Sequence, residues 1–334
     1  MNNKSINSVS IVGATTWGIT IANILARKNL SVKVWAKTES RAREFNEAQR
    51  KLPPEPGNPG KLFFTAGVRD SVLDCDMAVF GIPAQSVRQT AKQFKDYVPH
   101  NALVVNLAKG LEAGTGKRMT EILSEEMPYI SKNNLLVLSG PNLAQEINRS
   151  LPATSILAGN SGDTLKRALA VFDSPNFTVF PSRDMVGVEV CGALKNVISL
   201  GAGMVDGLGL GDNAKATLMT FGWNEALLMG LKLGARHSTF HGLAGLGDLI
   251  TTSAGSLSRN HYVGREVASG RTLSEVKAGM SNIAEGIDTT MAVHRLNHRL
   301  KLDLPVIELV YKILFQGFPP QEMARRLSIG FRKI

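Results

Sequence analysis

Several short strings in this 334-residue chain hold residue types suited to chemistry. The first is G-A-T-T-W-G at Gly13–Gly18. It follows the β-branched run Ser8–Val12 and opens an apolar helical pattern, the setting of a dinucleotide-binding turn. Gly13 would make the tight turn, and Gly18 would let the helix approach the sheet. A helix N-terminus there offers N–H groups and partial positive charge to a pyrophosphate. Thr15 stands where the fingerprint has its middle glycine, so a Cβ meets the path of the phosphates. Taken alone, the string also fits a plain strand–turn–helix.

The next strand, Ser31–Trp35, ends without the acid that would read ribose hydroxyls. Lys37 follows, then Arg41 and Arg43; a cation there could take a 2′-phosphate, or simply be solvated. Lys109 in A-K-G (Ala108–Gly110) and the S-G-P-N-L-A-Q-E string from Ser139 also fall at strand ends. In G-A-L-K-N-V (Gly192–Val197), Lys195 has apolar neighbours for a turn on both sides. Desolvation lowers a lysine pKa and makes it a usable general acid or base; a snorkelling head group is the alternative. Asp248 is a carboxylate within G-L-A-G-L-G-D-L. In S-R-N (Ser258–Asn260), Arg259 offers a planar fork to a phosphate, and Glu285 lies in A-E-G.

These residues need elements to hold them. Short apolar runs at Ser8–Val12, Ser31–Trp35, Leu62–Thr65, Met77–Gly81, Leu103–Ala108 and Leu135–Ser139 alternate with helical patterns up to about Phe180. This predicts an α/β domain: a Rossmann-type doubly wound, mostly parallel sheet with helices on both faces. Beyond Pro181 strand signals nearly vanish and an all-α domain is expected, with Asp212 as a candidate helix cap. The boundary falls near 183/184, giving a dinucleotide-binding domain over residues 1–183 and a helical substrate-binding domain over 184–334. Lys51–Gly60, with four prolines, reads as a loop.

Composition narrows the class. The chain carries 38 Lys+Arg against 28 Asp+Glu, a formal net charge of +10. Aromatic residues make up only 6% and do not interleave with basic runs, which argues against nucleic acid; most of the individual Lys and Arg read as a solvated surface, and an anionic small molecule is the other reading. Two distant cysteines, Cys75 and Cys191, fit a reducing compartment and exclude cysteine-rich zinc sites. The N-terminus lacks a signal-peptide pattern, no apolar run approaches a spanning length, and a cytoplasmic location is expected. His294 and His298 share a helix face, but no HExxH pattern accompanies them and no metal is assigned.

In this order the strings resemble NAD(P)-dependent glycerol-3-phosphate dehydrogenases of the bacterial type. G-A-L-K-N-V-I from Gly192, G-D-N-A-K from Gly211 and G-L-A-G-L-G-D-L from Gly242 belong to the set, and the similarity runs from about Ser8 to Leu327. The resemblance implies reversible reduction of dihydroxyacetone phosphate to sn-glycerol 3-phosphate for glycerophospholipid synthesis, usually by a homodimer. It makes Lys195 the catalytic lysine. It assigns Lys109, Gly140, Asn142, Asp248, Ser258, Arg259 and Asn260 to substrate. It assigns Gly13, Thr16, Trp17, Gly18, Lys37, Lys109, Ala144, Arg259 and Glu285 to a cofactor that Lys37 makes NADP in preference to NAD. A related dehydrogenase of the same build, acting on another small acid or phosphate, and a catalytically weakened nucleotide-binding protein are the alternatives.

Overall fold

The computed structural model describes residues 5–51, 62–254, 258–280 and 284–331. The proline-rich loop lies, past Lys51, outside them. The chain divides into two compact units. The first comprises Met1–Ala108 and Met119–Met185; the second comprises Lys109–Arg118 and Val186–Ile334.

In the first unit the elements are β1 (Ser8–Val12), α1 (Thr16–Ala26), β2 (Ser31–Trp35), α2 (Glu39–Arg50), β3 (Leu62–Thr65), α3 (Val68–Val72), β4 (Met77–Phe80), α4 (Val87–Phe94), β5 (Leu103–Asn106), α5 (Met119–Glu126), β6 (Leu135–Ser139), α6 (Ala144–Asn148), β7 (Ala153–Gly159), α7 (Gly162–Phe172) and β8 (Phe177–Ser182). The sheet order is β3-β2-β1-β4-β5-β6-β7-β8. Every pairing is parallel except β6 with β7. The chain crosses over between β1 and β4, the switch point beside which such sheets bind ligands. Strands β4, β5 and β6 are buried along their whole length, as expected when helices cover both faces. Ile11, Ile21, Leu25, Val79, Val105 and Phe172 share this core. The doubly wound domain expected from the alternating pattern is therefore present. The five-residue α3 has no side-chain cap, and the sequence pattern did not single it out.

The second unit is helical: α8 (Met185–Gly207), α9 (Gly211–Lys232), α10 (His237–Phe240), α11 (Asp248–Ala254), α12 (Arg259–Ala268), α13 (Leu273–Ala278), α14 (Glu285–Leu300), α15 (Pro305–Phe315) and α16 (Glu322–Ser328). Its core gathers Leu194, Leu200, Met204, Phe240, Val293 and Val310. Helix α8 corrects one expectation. It is long and apolar enough to cross a membrane, but 94% of its apolar window is buried inside the protein, as in a core helix. Asp212 is also corrected: α9 starts one residue before it, with Leu210 at the cap position and no side-chain cap bond. Asp212 instead contributes negative charge to the first turn, where the helix dipole favours it.

A single boundary at 183/184 would leave Lys109–Arg118 in the first domain, yet this segment packs in the second unit. Leu111 is fully buried in that unit's core. Arg118 Nη1 pairs with the buried Glu189 carboxylate at 2.7 Å, Arg295 donates to Ala113 O at 3.0 Å, and Arg299 donates to Thr115 O at 3.3 Å. These bonds fix the segment's first residue, Lys109, in the helical unit.

Candidate active site

In the first unit, the expected cofactor residues stand past the C-terminal ends of the strands. Gly13 follows β1 with φ +121°, and a Cβ there would lie 2.5 Å from Ile82 Cγ2. A Cβ on Gly18 would lie 2.2 Å from Gly13 O, so α1 approaches the turn more closely than any side chain allows. Thr15, which the sequence presents as an obstacle, is the cap of α1. Its Oγ1 accepts from Gly18 N at 3.0 Å and donates to Gly81 O at 2.6 Å. That bond satisfies one of the helix's first N–H groups and leaves Thr16 and Trp17 to present theirs. The Trp17 ring packs edge-to-face with Phe177 at 6.2 Å. A glycine cradle beneath an open helix N-terminus fits a pyrophosphate, with Gly13, Thr16, Trp17 and Gly18 around it.

Lys37 is exposed just past β2. Arg41 pairs with Glu44 at 3.2 Å and lies over the Phe45 ring, so Lys37 is the better placed of the two for a ligand at this strand end. Past β6, Gly140 has φ +150° and Ala144 opens α6. Asn142 Oδ1 accepts from Ser155 Oγ at 2.8 Å, while its buried Nδ2 has no partner among the described residues. An unspent buried donor is costly unless a ligand or water uses it.

In the second unit the geometry rests on charge. Asp248, 1% exposed, begins α11 after one turn of π-helix over Leu243–Gly247. Its Oδ1 accepts from Lys195 Nζ at 2.6 Å and its Oδ2 from Lys109 Nζ at 2.6 Å. Lys195, on α8 and 6% exposed, also donates to Thr252 Oγ1 at 2.6 Å. Burial pushes the Lys195 ammonium down to about 8; Asp248 opposes the shift and Lys109 adds to it. Two lysines sharing one carboxylate leave a net positive group, able to hold a proton near neutral pH and to face a developing oxyanion.

An amide relay braces this group. Asn196 Nδ2 donates to Lys109 O at 3.0 Å, Asn260 Nδ2 donates to Asn196 Oδ1 at 2.9 Å, and Gly286 N donates to Asn260 Oδ1 at 2.9 Å. Both ends of the Asn260 amide are thus engaged within the protein. Helices α8 and α12 cross so tightly that a Cβ on Gly264 would sit 2.0 Å from Leu200 O. Ser258 caps α12, accepting from His261 N at 3.2 Å, and bonds Ser199 Oγ at 3.0 Å. Glu285, half-buried at the start of α14, adds a negative field that favours charged Lys195. Arg259 is exposed at the start of α12 and makes no hydrogen bond or ion pair with this group among the described residues.

Structure thus joins Lys109, Lys195 and Asp248 directly and adds Asn260 through Asn196. Thr252 and Asn196 were not singled out by sequence. Thr252 lies one helical turn beyond Asp248, a spacing that places both on one face. Asn196 is adjacent to Lys195, but nothing local signals the backbone carbonyl it holds.

A doubly wound sheet with a glycine turn before an open helix N-terminus, in one chain with a helical unit holding a lysine–carboxylate–lysine group, is the build of a two-domain nucleotide-dependent dehydrogenase. Family comparison is more particular. Residues 8–164 match the NAD-dependent glycerol-3-phosphate dehydrogenase N-terminus and residues 184–325 the corresponding C-terminus. The chain belongs to this family. It is 41% identical over 325 residues to glycerol-3-phosphate dehydrogenase (NAD(P)+) of Dehalococcoides mccartyi, covering 96% of this chain and 90% of the relative. With the Chlorobium limicola protein of the same name, identity is 37% over 316 residues, covering 94% and 95%. A crystal structure of glycerol-3-phosphate dehydrogenase from Coxiella burnetii superimposes with TM-score 0.87 at 29% identity, covering 97% of this chain and 99% of that one.

Proposed function

We infer that this chain is an NAD(P)-dependent oxidoreductase interconverting dihydroxyacetone phosphate and sn-glycerol 3-phosphate. The observation that carries the chemistry is Lys195, buried between Asp248 and Thr252 with its pKa pushed down to about 8. Bound NADPH or NADH supplies the hydride. As the ketone carbon is reduced, its oxygen gains negative charge and must be protonated. Lys195 Nζ gives that proton and takes it back in the reverse direction. Lys109 steadies the oxyanion while Asp248 keeps both ammonium groups in place.

Gly13, Thr16, Trp17 and Gly18 would hold the cofactor's pyrophosphate, and Lys37 its 2′-phosphate, which favours NADP over NAD. The Gly140–Ala144 turn, with the free Asn142 donor, would contribute further ligand contacts. On the second unit Arg259 would hold the substrate phosphate. Ser258 and Asn260 shape that region, and Glu285 is the remaining cofactor candidate. A homodimer is proposed as well: Phe221, Leu228 and Leu231 expose apolar surface on one side of α9, a face suited to a second copy. A cytoplasmic enzyme supplying backbones for phospholipids completes this reading. The test is dihydroxyacetone phosphate-dependent oxidation of NADPH and of NADH by the purified chain. No turnover with either cofactor would overturn it.

A further inference from the structure

We propose that His294, His298 and Glu308 form a binding site for a divalent transition metal of the zinc class, separate from the Lys195 group and sharing no residue with it. His294 and His298 stand one turn apart on α14, which places both rings on one helix face. Glu308 comes from α15. One ligand atom from each of the three lies within 4.8 Å of the other two. In a tetrahedral zinc site with ~2.1 Å bonds, ligand atoms stand ~3.4 Å apart. His298 is exposed, so a metal would have to draw its ring inward to close that gap. Two imidazoles and a carboxylate form a ligand set that suits zinc and leaves a fourth position open.

The neighbours of these ligands hold them in place. His294 Nδ1 lies 2.8 Å from Glu308 Oε2, and its ring stacks on Tyr311 at 3.6 Å between centroids and 5° between planes. Asn297 Nδ2 donates to Glu308 Oε1 at 2.8 Å. The Tyr311 and Asn297 contacts are outer contacts of the kind that orient ligands in metal sites; the His294–Glu308 contact joins two of the ligands, and a metal bound between them would take its place. A second observation concerns the amide beside the triad. Asn297, 5% exposed, keeps a buried Oδ1 that has no partner among the described residues. Asn297 and the three ligands line one cavity of about 670 Å³. Lys301, Lys312 and Arg326 line the same cavity and would favour hydroxide or a small carboxylate there.

The measurement is calorimetric titration of the chelator-treated, full-length protein with Zn²⁺, with Co²⁺ visible absorption as a second readout. One equivalent should bind, and Co²⁺ should give the absorption of a tetrahedral site. His298→Ala removes an exposed ligand and should weaken binding by more than the ~10–100-fold that loss of an outer-shell partner costs. Asn297→Leu should weaken it by about 10-fold. His241→Ala, altering the similarly spaced His237–His241 pair, should leave binding unchanged. Absence of stoichiometric binding, or binding unaltered by His298→Ala, would overturn the proposal.

Discussion

The two units place their functional residues by different means. In the first, candidate positions follow from the backbone: strand ends, a left-handed glycine and the open end of α1. Lys37, the charged candidate there, is exposed. In the second, the candidate chemistry rests on side chains buried together, with Asp248 and Lys195 nearly sealed from water. A backbone-built site presents fixed N–H groups and tolerates many side chains. A buried charge group depends on every member, because removing one leaves the others desolvated and unpaired. Substitutions should therefore be severe and specific to turnover in the second unit, and milder and specific to cofactor choice in the first.

The largest effect is expected at Lys195. Lys195→Ala should lower turnover by about 100-fold or more, the scale of a lost general acid. Dissociation constants for NADPH and NADH, read by fluorescence titration, should stay near those of the unaltered chain. Near-normal turnover would remove Lys195 from the proton transfer.

A pH profile tests the same group without mutation. In the proposed role Lys195 gives its proton during reduction of the ketone, so kcat/KM for reduction should fall as pH rises through about 8, approaching tenfold per unit above it. In the same role the neutral amine takes the proton back during oxidation of sn-glycerol 3-phosphate, so kcat/KM for oxidation should rise over the same range. Parallel behaviour of the two directions would contradict the assignment.

On the first unit, Lys37→Asp should turn a preference for NADPH into one for NADH. A charge-assisted contact of ~1.5–3 kcal/mol corresponds to about 10- to 150-fold. Exposure of Lys37 places the expected change near the lower end, about 10-fold, and it should narrow with added salt. The ratio of kcat/KM for the two cofactors is the measure. Equal use of both, unaltered by the substitution, would make Lys37 a solvated surface charge.

The same contrast governs what could be read before the fold was known. Strands β1, β2, β3 and β6 have the ends their β-branched and apolar runs predict, because local pattern decides them. Gly13 and Gly18 were legible for a like reason: the turn admits no side chain at either. Lys195 stood out as a charge among apolar neighbours. Its partners came from other segments, and nothing local announces that Lys109 leaves the end of β5 to pack with the helical unit. Glu225 shows the limit most clearly. It is a buried carboxylate on α9 whose oxygens accept from Val306 N at 2.7 Å and Ile307 N at 3.0 Å, capping α15 from far along the chain. The sequence presents it as one acid among many.

Thr252 yields the smallest and most discriminating effect. Its hydroxyl accepts a bond from Lys195 Nζ at 2.6 Å, and Asp248 Oδ1 takes another. Thr252→Val keeps the shape and removes the acceptor. The protonated lysine loses more than the neutral amine, since charge-assisted bonds are the stronger ones. Lys195 should then release its proton at lower pH. A net bond worth ~0.5–1.5 kcal/mol corresponds to a shift of about 0.5–1 unit. The alkaline limb of the reduction profile should move down by that amount, while turnover at pH 6, where Lys195 remains charged, should change less than about threefold. An unmoved limb would mean that Asp248 alone sets the Lys195 proton, and the buried group would shrink to the two lysines and their shared carboxylate.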